Sequence, residues 1–230
     1  VQGDARDPAS ERLLYREQHF MREQDDQLVE RLVVYRCPNG TAFARKHVDY
    51  RVSRTAPDFE LTDARRGYRE GLRRRDGATQ TWSGSAAPSA VSAKAGTLVA
   101  DVGFDEFLRA HWGALLSGAP QTMAFVVPSL RRALPFQVRS LGRGDVNGQS
   151  VERFHLKLEG LLGLIGPSMD VDYDTSAKRL RRFVGITNLH DDRGKPMRAQ
   201  IDFPSLSRAA DPGQWQAALD TPLAACALGR

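Results

Sequence analysis

Gly103-Phe-Asp-Glu-Phe-Leu-Arg-Ala-His-Trp-Gly-Ala-Leu-Leu-Ser-Gly118 is the stretch whose reading decides the fold. Phe104, Phe107, Leu108, His111 and Leu115 recur at the spacing i, i+3, i+4, i+7, i+11, which sets them along one helical stripe. Asp105 and Glu106 fall in the first turn, where carboxylates suit the positive end of the helix dipole. Gly118 follows the last apolar residues and is placed for the left-handed conformation that ends a helix. The spacing predicts one amphipathic helix over Gly103–Gly118 in a chain that otherwise reads as strands. A lone helix of this kind has to bury its stripe against a sheet.

Outward from the helix, hairpin signals dominate. Gln24-Asp25-Asp26, Pro38-Asn39-Gly40 and Asp76-Gly77 are turn sequences, because Asp, Asn and Gly tolerate the positive φ values of tight turns. Between them, Glu11–Glu23, Gln27–Arg36, Thr41–Val52, Asp58–Thr62, Gly67–Arg75 and Ala78–Ser83 read as strands. In Thr41–Val52, residues Ala42, Ala44, Lys46, Val48 and Tyr50 share one face. Gly84–Gly96, rich in Ser, Ala and Pro, reads as a surface loop. After the helix come Met123–Val127, Pro135–Leu141 and Ser150–Gly160. In the last of these, Phe154, Leu156 and Leu158 alternate with Arg153, His155 and Lys157. Met169–Asp174, Arg179–Leu189 and Met197–Phe203 follow, and Asp211–Leu219 reads as a short terminal helix. Roughly ten to twelve strands joined by tight turns make an antiparallel meander, and a sheet that long must curl, split or close. The expected fold is mainly β: one strongly curved antiparallel sheet, an unclosed barrel with the helix on its concave face. The domain spans 11–210, after a loose leader at 1–10 and before a tail at 211–230.

The composition suits a soluble globular protein: 41% apolar and 27% charged residues in 230, with a net charge of +5. Arg clusters stand at Arg65-Arg66, Arg73–Arg75, Arg131-Arg132 and Arg179–Arg182. They read as solvated surface or as attraction to an anionic partner such as lipid headgroups, with Arg131 and Arg132 the headgroup candidates. Acidic residues interrupt every basic run and no nucleic-acid motif is present, so no nucleic-acid partner is expected. Cys37 and Cys226 form no metal-ligand spacing; they are either one disulfide or two buried thiols. Val1–Ser10 carries no export signal, so cytosol and periplasm, the latter as a mature form, both stay open on this ground.

No catalytic motif is present: no Gly-x-Ser-x-Gly, Walker sequence, His-Glu-x-x-His or dinucleotide fingerprint. No cofactor or metal is expected, and the reading leans away from an enzyme. Asp101 and Asp105 are read as helix caps, His111 as a core histidine, and Asp58, Asp63 and Glu70 as partners of Arg45, Arg65 and Arg66 in cross-strand ion pairs. Gly160–Gly166 is more suggestive. Its glycines let a sheet bend while Leu162 and its neighbours line an apolar space, or else they are plain core. The candidate lining comprises Phe107, Leu108, Trp112 and Leu115 from the helix and Phe125, Val127, Phe136, Phe154, Leu156, Leu158 and Leu162 from the strands.

The segment Phe154–Phe203 resembles the periplasmic half-barrel proteins of the LolA/LolB-like superfamily and related uncharacterised bacterial families. The resemblance rests on Met169-Asp-Val-Asp-Tyr-Asp174, Arg179-Leu-Arg-Arg-Phe-Val-Gly-Ile-Thr-Asn-Leu189 and the turn into Met197–Phe203. It implies an unclosed antiparallel barrel with a helical plug, residence in the periplasm, and binding of lipid or lipoprotein acyl groups. No single functional residue is carried over. The leading expectation is a monomeric periplasmic carrier or binding protein for an apolar or amphipathic ligand, with peripheral membrane contact. A non-enzymatic envelope module with a filled core that binds another protein is the alternative, and a hydrolase or isomerase using the acids at the helix entrance is the second.

Overall fold

Asp25 and Asp26 both adopt positive φ, as do Asp76-Gly77 and Asn147-Gly148, and each pair closes a two-residue hairpin. Repetition of this device lays the chain out as one sheet. In the computed structural model, residues 1–94, 96–160, 166, 168–204 and 209–228 are described. The first eight strands are β1 (Gln2–Arg6), β2 (Leu13–Gln24), β3 (Gln27–Arg36), β4 (Ala42–Asp49), β5 (Asp58–Asp63), β6 (Tyr68–Arg75), β7 (Ala78–Ser83) and β8 (Ser89–Ala90). A short β9 (Thr97–Ala100) leads through a 3-10 turn at Asp101–Gly103 into α1 (Phe104–Ala110) and α2 (Trp112–Leu116). Then come β10 (Gln121–Val127), β11 (Arg132–Val146), β12 (Gln149–Leu158), β13 (Ser168–Asp174), β14 (Leu180–His190), β15 (Pro196–Asp202) and α3 (Pro212–Asp220).

The 15 strands form one sheet in the order 8-7-6-5-4-3-2-1-15-14-13-12-11-10-9. Every neighbouring pair is antiparallel except β9 with β10. Two meanders therefore meet at the β1–β15 seam, and the two sheet edges, β8 and β9, are consecutive in sequence. The ring stays open, but its edges come near each other. Arg131 Nη1 donates to the Ala87 carbonyl at 3.4 Å, and Val126 and Ala100 share a buried cluster with Val48, Phe59 and Leu72.

Residues 1–10 are not a loose leader. Gln2–Arg6 is the strand that joins the two halves, pairing Asp4 with both Arg16 and Asp202. It escapes a pattern search because its inward residues are Gly3 and Ala5. Only small groups fit there: a Cβ on Gly3 would stand 2.6 Å from the Phe203 ring. The segment Gly84–Gly96 also holds a strand, β8, paired with β7. The tail carries α3, capped by the Asp211 carboxylate on the Gln214 amide and packed through Trp215 and Ala218 on Leu32 and Val34.

The helix falls where its stripe predicts, in two segments with a kink at His111 (φ −104°). Amide bonds from His111 to Phe107 and from Leu115 to His111 carry the turn across the kink, and Gly118 ends it at φ +86°. Phe107, Leu108, Trp112 and Leu115 pack on Phe154, Leu156, Val171 and Tyr173. The Trp112 and Phe154 rings meet edge-on with centroids 5.1 Å apart. Burying each of these side chains stabilises the fold by roughly 1.5–3 kcal/mol. Asp101 and Asp105 do not cap the helix: no side chain caps α1, and both carboxylates point instead to cations on the sheet.

Cys37 and Cys226 form a disulfide with Cα atoms 6.4 Å apart, tying the tail to the β3–β4 turn. Among the described residues, no helix is long and apolar enough to cross a membrane.

Candidate ligand cavity

The helix fills one side of the half-barrel and leaves the other open. A cavity of about 700 Å³ lies between the β2–β6 face, the start of the helix and the β10–β15 wall. Its composition follows from strand register. On the inner face of the first meander, one row runs His19, Val33, Lys46, Leu61, Glu70 across β2 to β6. The next row opens with Glu17 opposite Tyr35. Arg31 lies two residues from Val33 on the same face of β3. The opposite wall is apolar, with Phe125, Phe136, Met169, Phe183 and Ile201.

The buried charges are organised around the helix entrance. Lys46 Nζ lies 2.8 Å from Asp101 Oδ1. Arg31 Nη2 lies 3.4 Å from Asp105 Oδ2, and the Tyr173 hydroxyl donates to the other Asp105 oxygen. These pairs tie β3 and β4 to the helix N-terminus and offset the cost of burying either partner alone. Among the described residues, two further carboxylates, Glu17 and Glu70, have no Lys or Arg partner. His19 Nε2 lies 2.9 Å from Glu17 Oε2, and burial lowers the imidazole's affinity for its proton, which keeps the ring neutral near pH 7. Glu70 accepts from Tyr68 Oη and Asn188 Nδ2, each at 2.7 Å. Burial pushes the Glu70 carboxyl up to about 7, with the Asp101 charge adding to the shift and Asn188, Tyr68 and the Lys46 charge opposing it. The Tyr15 hydroxyl and Arg31 Nε are buried on this lining and make no hydrogen bond of ordinary length among the described residues.

Of the side chains expected to line an apolar space, Phe125, Val127 and Phe136 do border the cavity. Phe107, Leu108, Trp112, Leu115, Phe154, Leu156 and Leu158 do not; they form the filled core beneath the helix. Leu162 and the rest of Leu161–Ile165 lie outside the described residues. Arg131 and Arg132 are exposed beyond the lining, next to Leu130, which is 51% exposed at the cavity rim. The expected cross-strand ion pairs resolve differently. Asp63 pairs with Arg65 two residues on, Asp58 pairs with Arg74, and among the described residues Glu70 forms no ion pair.

Sequence reasoning gave Glu17, His19, Arg31 and Lys46 no part in a site and read Glu70 as a cross-strand ion-pair partner. A signal existed for two of them. Lys46 interrupts the apolar face Ala42, Ala44, Val48, Tyr50, and Arg31 interrupts Val29, Val33, Tyr35. A charge in the middle of an inward row must find a buried partner.

Fold and cavity together define an unclosed, barrel-like β protein built around an internal helix. The crystal structure of a beta-barrel-like protein of the domain of unknown function DUF1849 from Brucella abortus is similar: TM-score 0.52, 11% identity, 89% of this chain and 96% of that chain covered. That similarity is one of fold. No protein-family model and no curated protein matches the sequence.

Proposed function

We propose that this chain is a periplasmic carrier or binding protein of the LolA/LolB-like kind, holding one apolar or amphipathic molecule between the curved sheet and the helix. The observation that carries this reading is the cavity of about 700 Å³, within the roughly 300–1,000 Å³ of sites that enclose small ligands. One wall offers hydrocarbon surface from Phe125, Phe136 and Phe183, and the other offers buried polar groups. That division suits a molecule with an acyl chain and a polar head. The Cys37–Cys226 disulfide supports an oxidising compartment such as the periplasm. Exposed Leu130 beside Arg131 and Arg132 suits peripheral contact with an anionic membrane surface, through which a carried lipid would enter.

Native mass spectrometry of the protein purified from its own host tests the proposal. The expected result is a bound mass of lipid size, removed by organic extraction and restored by adding monoacyl lipids. A single apo mass that no added lipid shifts would overturn it.

A further inference from the structure

We propose that the polar wall of the cavity recognises a ligand head that carries a protonated amine, with Glu17 and Glu70 as its counter-charges; this deepens the carrier reading and rests on it. Charge balance inside the barrel drives the inference. Arg31 and Lys46, the buried cations on the cavity lining, are already matched by Asp105 and Asp101. Glu17 and Glu70 remain, 7% and 3% exposed. Among the described residues, no Arg or Lys lies within ion-pair distance of either. Their hydrogen-bond partners are His19, Tyr68 and Asn188, which satisfy oxygen lone pairs without supplying a positive charge at neutral pH.

A buried carboxyl with no Lys or Arg partner either keeps its proton, as Glu70 tends to, or is stabilised in its charged form by a cation brought beside it. A metal ion is a poor candidate, since no group of three ligating side chains assembles among the described residues. An ammonium group needs fewer contacts and takes hydrogen-bond acceptors readily. A second, independent observation points to a ligand at this wall. The Tyr15 hydroxyl and the Arg31 Nε–H, both buried on the lining, make no hydrogen bond of ordinary length among the described residues. The hydroxyl has Glu17 and Thr187 close by. It supplies one more acceptor for an ammonium, while the guanidinium N–H supplies a donor for an oxygen beside it. A head with an ammonium and an adjacent acceptor oxygen matches the acceptors and the donor that this lining offers.

Three monoacyl probes with one acyl chain test this: lyso-phosphatidylethanolamine, lyso-phosphatidylglycerol and a monoacylglycerol. Affinities are read by displacement of a fluorescent fatty-acyl reporter from the intact, oxidised protein. The ethanolamine head is expected to bind at least about tenfold tighter than the other two, equivalent to about 1.4 kcal/mol. The double variant E17Q/E70Q is expected to erase that preference, so that the three probes bind within about twofold of one another. Equal binding of all three, or preference for the glycerol heads, would overturn the amine inference and leave the carrier reading standing. Binding of none would overturn both. Free ethanolamine serves as the chainless control; competition by it as strong as by the lyso-lipid would retain the ammonium site and overturn a lipid as its source. The wild-type comparison carries the test even if the double variant does not fold.

Discussion

Lys46 Nζ lies 2.8 Å from Asp101 Oδ1 and 3.0 Å from Oδ2, a buried ion pair between residues 55 positions apart. It fixes the helix entrance to the middle of β4, and so sets how far the helix stands from the β2–β6 face. The cavity lies beside this polar connection, whereas apolar side chains seat the helix on β12 and β13.

Breaking this pair from one side should therefore be far worse than removing it. K46M leaves Asp101 buried without its cation and is expected to lower stability by about 3–5 kcal/mol. K46M/D101N keeps a residue type that tolerates the left-handed backbone at Asp101 (φ 47°) and is expected to recover most of that loss. Urea unfolding of the wild type, both singles and the double gives the cycle. Additive losses would show that the two residues act independently.

Glu70 makes stability depend on pH. Its folded-state value of about 7 lies above the ordinary 4.5, so the folded state holds the proton more tightly than the unfolded chain. Stability from this group is complete below about pH 4.5 and is lost as pH rises towards 7 and beyond, by on the order of 3 kcal/mol. E70Q removes the titration. The difference between wild type and E70Q should be small at pH 4.5 and should favour the variant at pH 8. A difference that stays flat across that range would contradict the buried-carboxyl account.

Gly103 and Gly113 should respond in opposite directions. A Cβ on Gly103 would stand 1.9 Å from the Thr55 carbonyl oxygen, a backbone atom that cannot step aside. G103A is expected to destabilise by at least about 1–3 kcal/mol through overpacking. Gly113 lies in α2 with nothing within 4 Å of its Cβ position, so G113A should stabilise by up to about 1 kcal/mol. Thermal unfolding of the two variants measures both signs.

Trp112 and Phe125 separate the filled side of the barrel from the open side. Trp112 is buried against Phe154 and Tyr173, and W112A should cost about 3–5 kcal/mol. Phe125 is half-buried on the cavity lining, and F125A should cost less stability while weakening acyl-chain binding. Unfolding curves and reporter-lipid titration on the same two proteins make the comparison.

The Cys37–Cys226 bond closes 189 residues of chain. Its loss in C37A/C226A should destabilise the protein by about 2–5 kcal/mol, because the open chain regains conformational freedom in the unfolded state. Equal melting temperatures for the oxidised wild type and the double variant would refute this.

Most of the strand architecture was readable from the chain because it is local. Alternation at Phe154, Leu156 and Leu158, and the paired turn residues at Asp25-Asp26 and Asp76-Gly77, state their own geometry within a few positions. β1 was not readable, because its inward residues, Gly3 and Ala5, are small only on account of Phe203, about 200 positions away. The candidate site was readable only as an apolar space, and mostly in the wrong place. Helix and strand residues of equal hydrophobicity, Phe107 and Phe125, end in a filled core and on a cavity wall respectively.

By itself the sequence determined the curved antiparallel sheet and the helix that needs it, since hydrophobic period and turn chemistry act over short spans. Only the tertiary structure decided the ring of 15 strands, the disulfide and the location of the cavity. Those depend on which faces meet across the barrel. Lys46 with Asp101 and Arg31 with Asp105 tie the helix entrance to one wall through polar contacts, while Trp112 and Phe154 seat the helix on the other by apolar packing. Pairings between residues so distant in the chain leave no periodic trace along it.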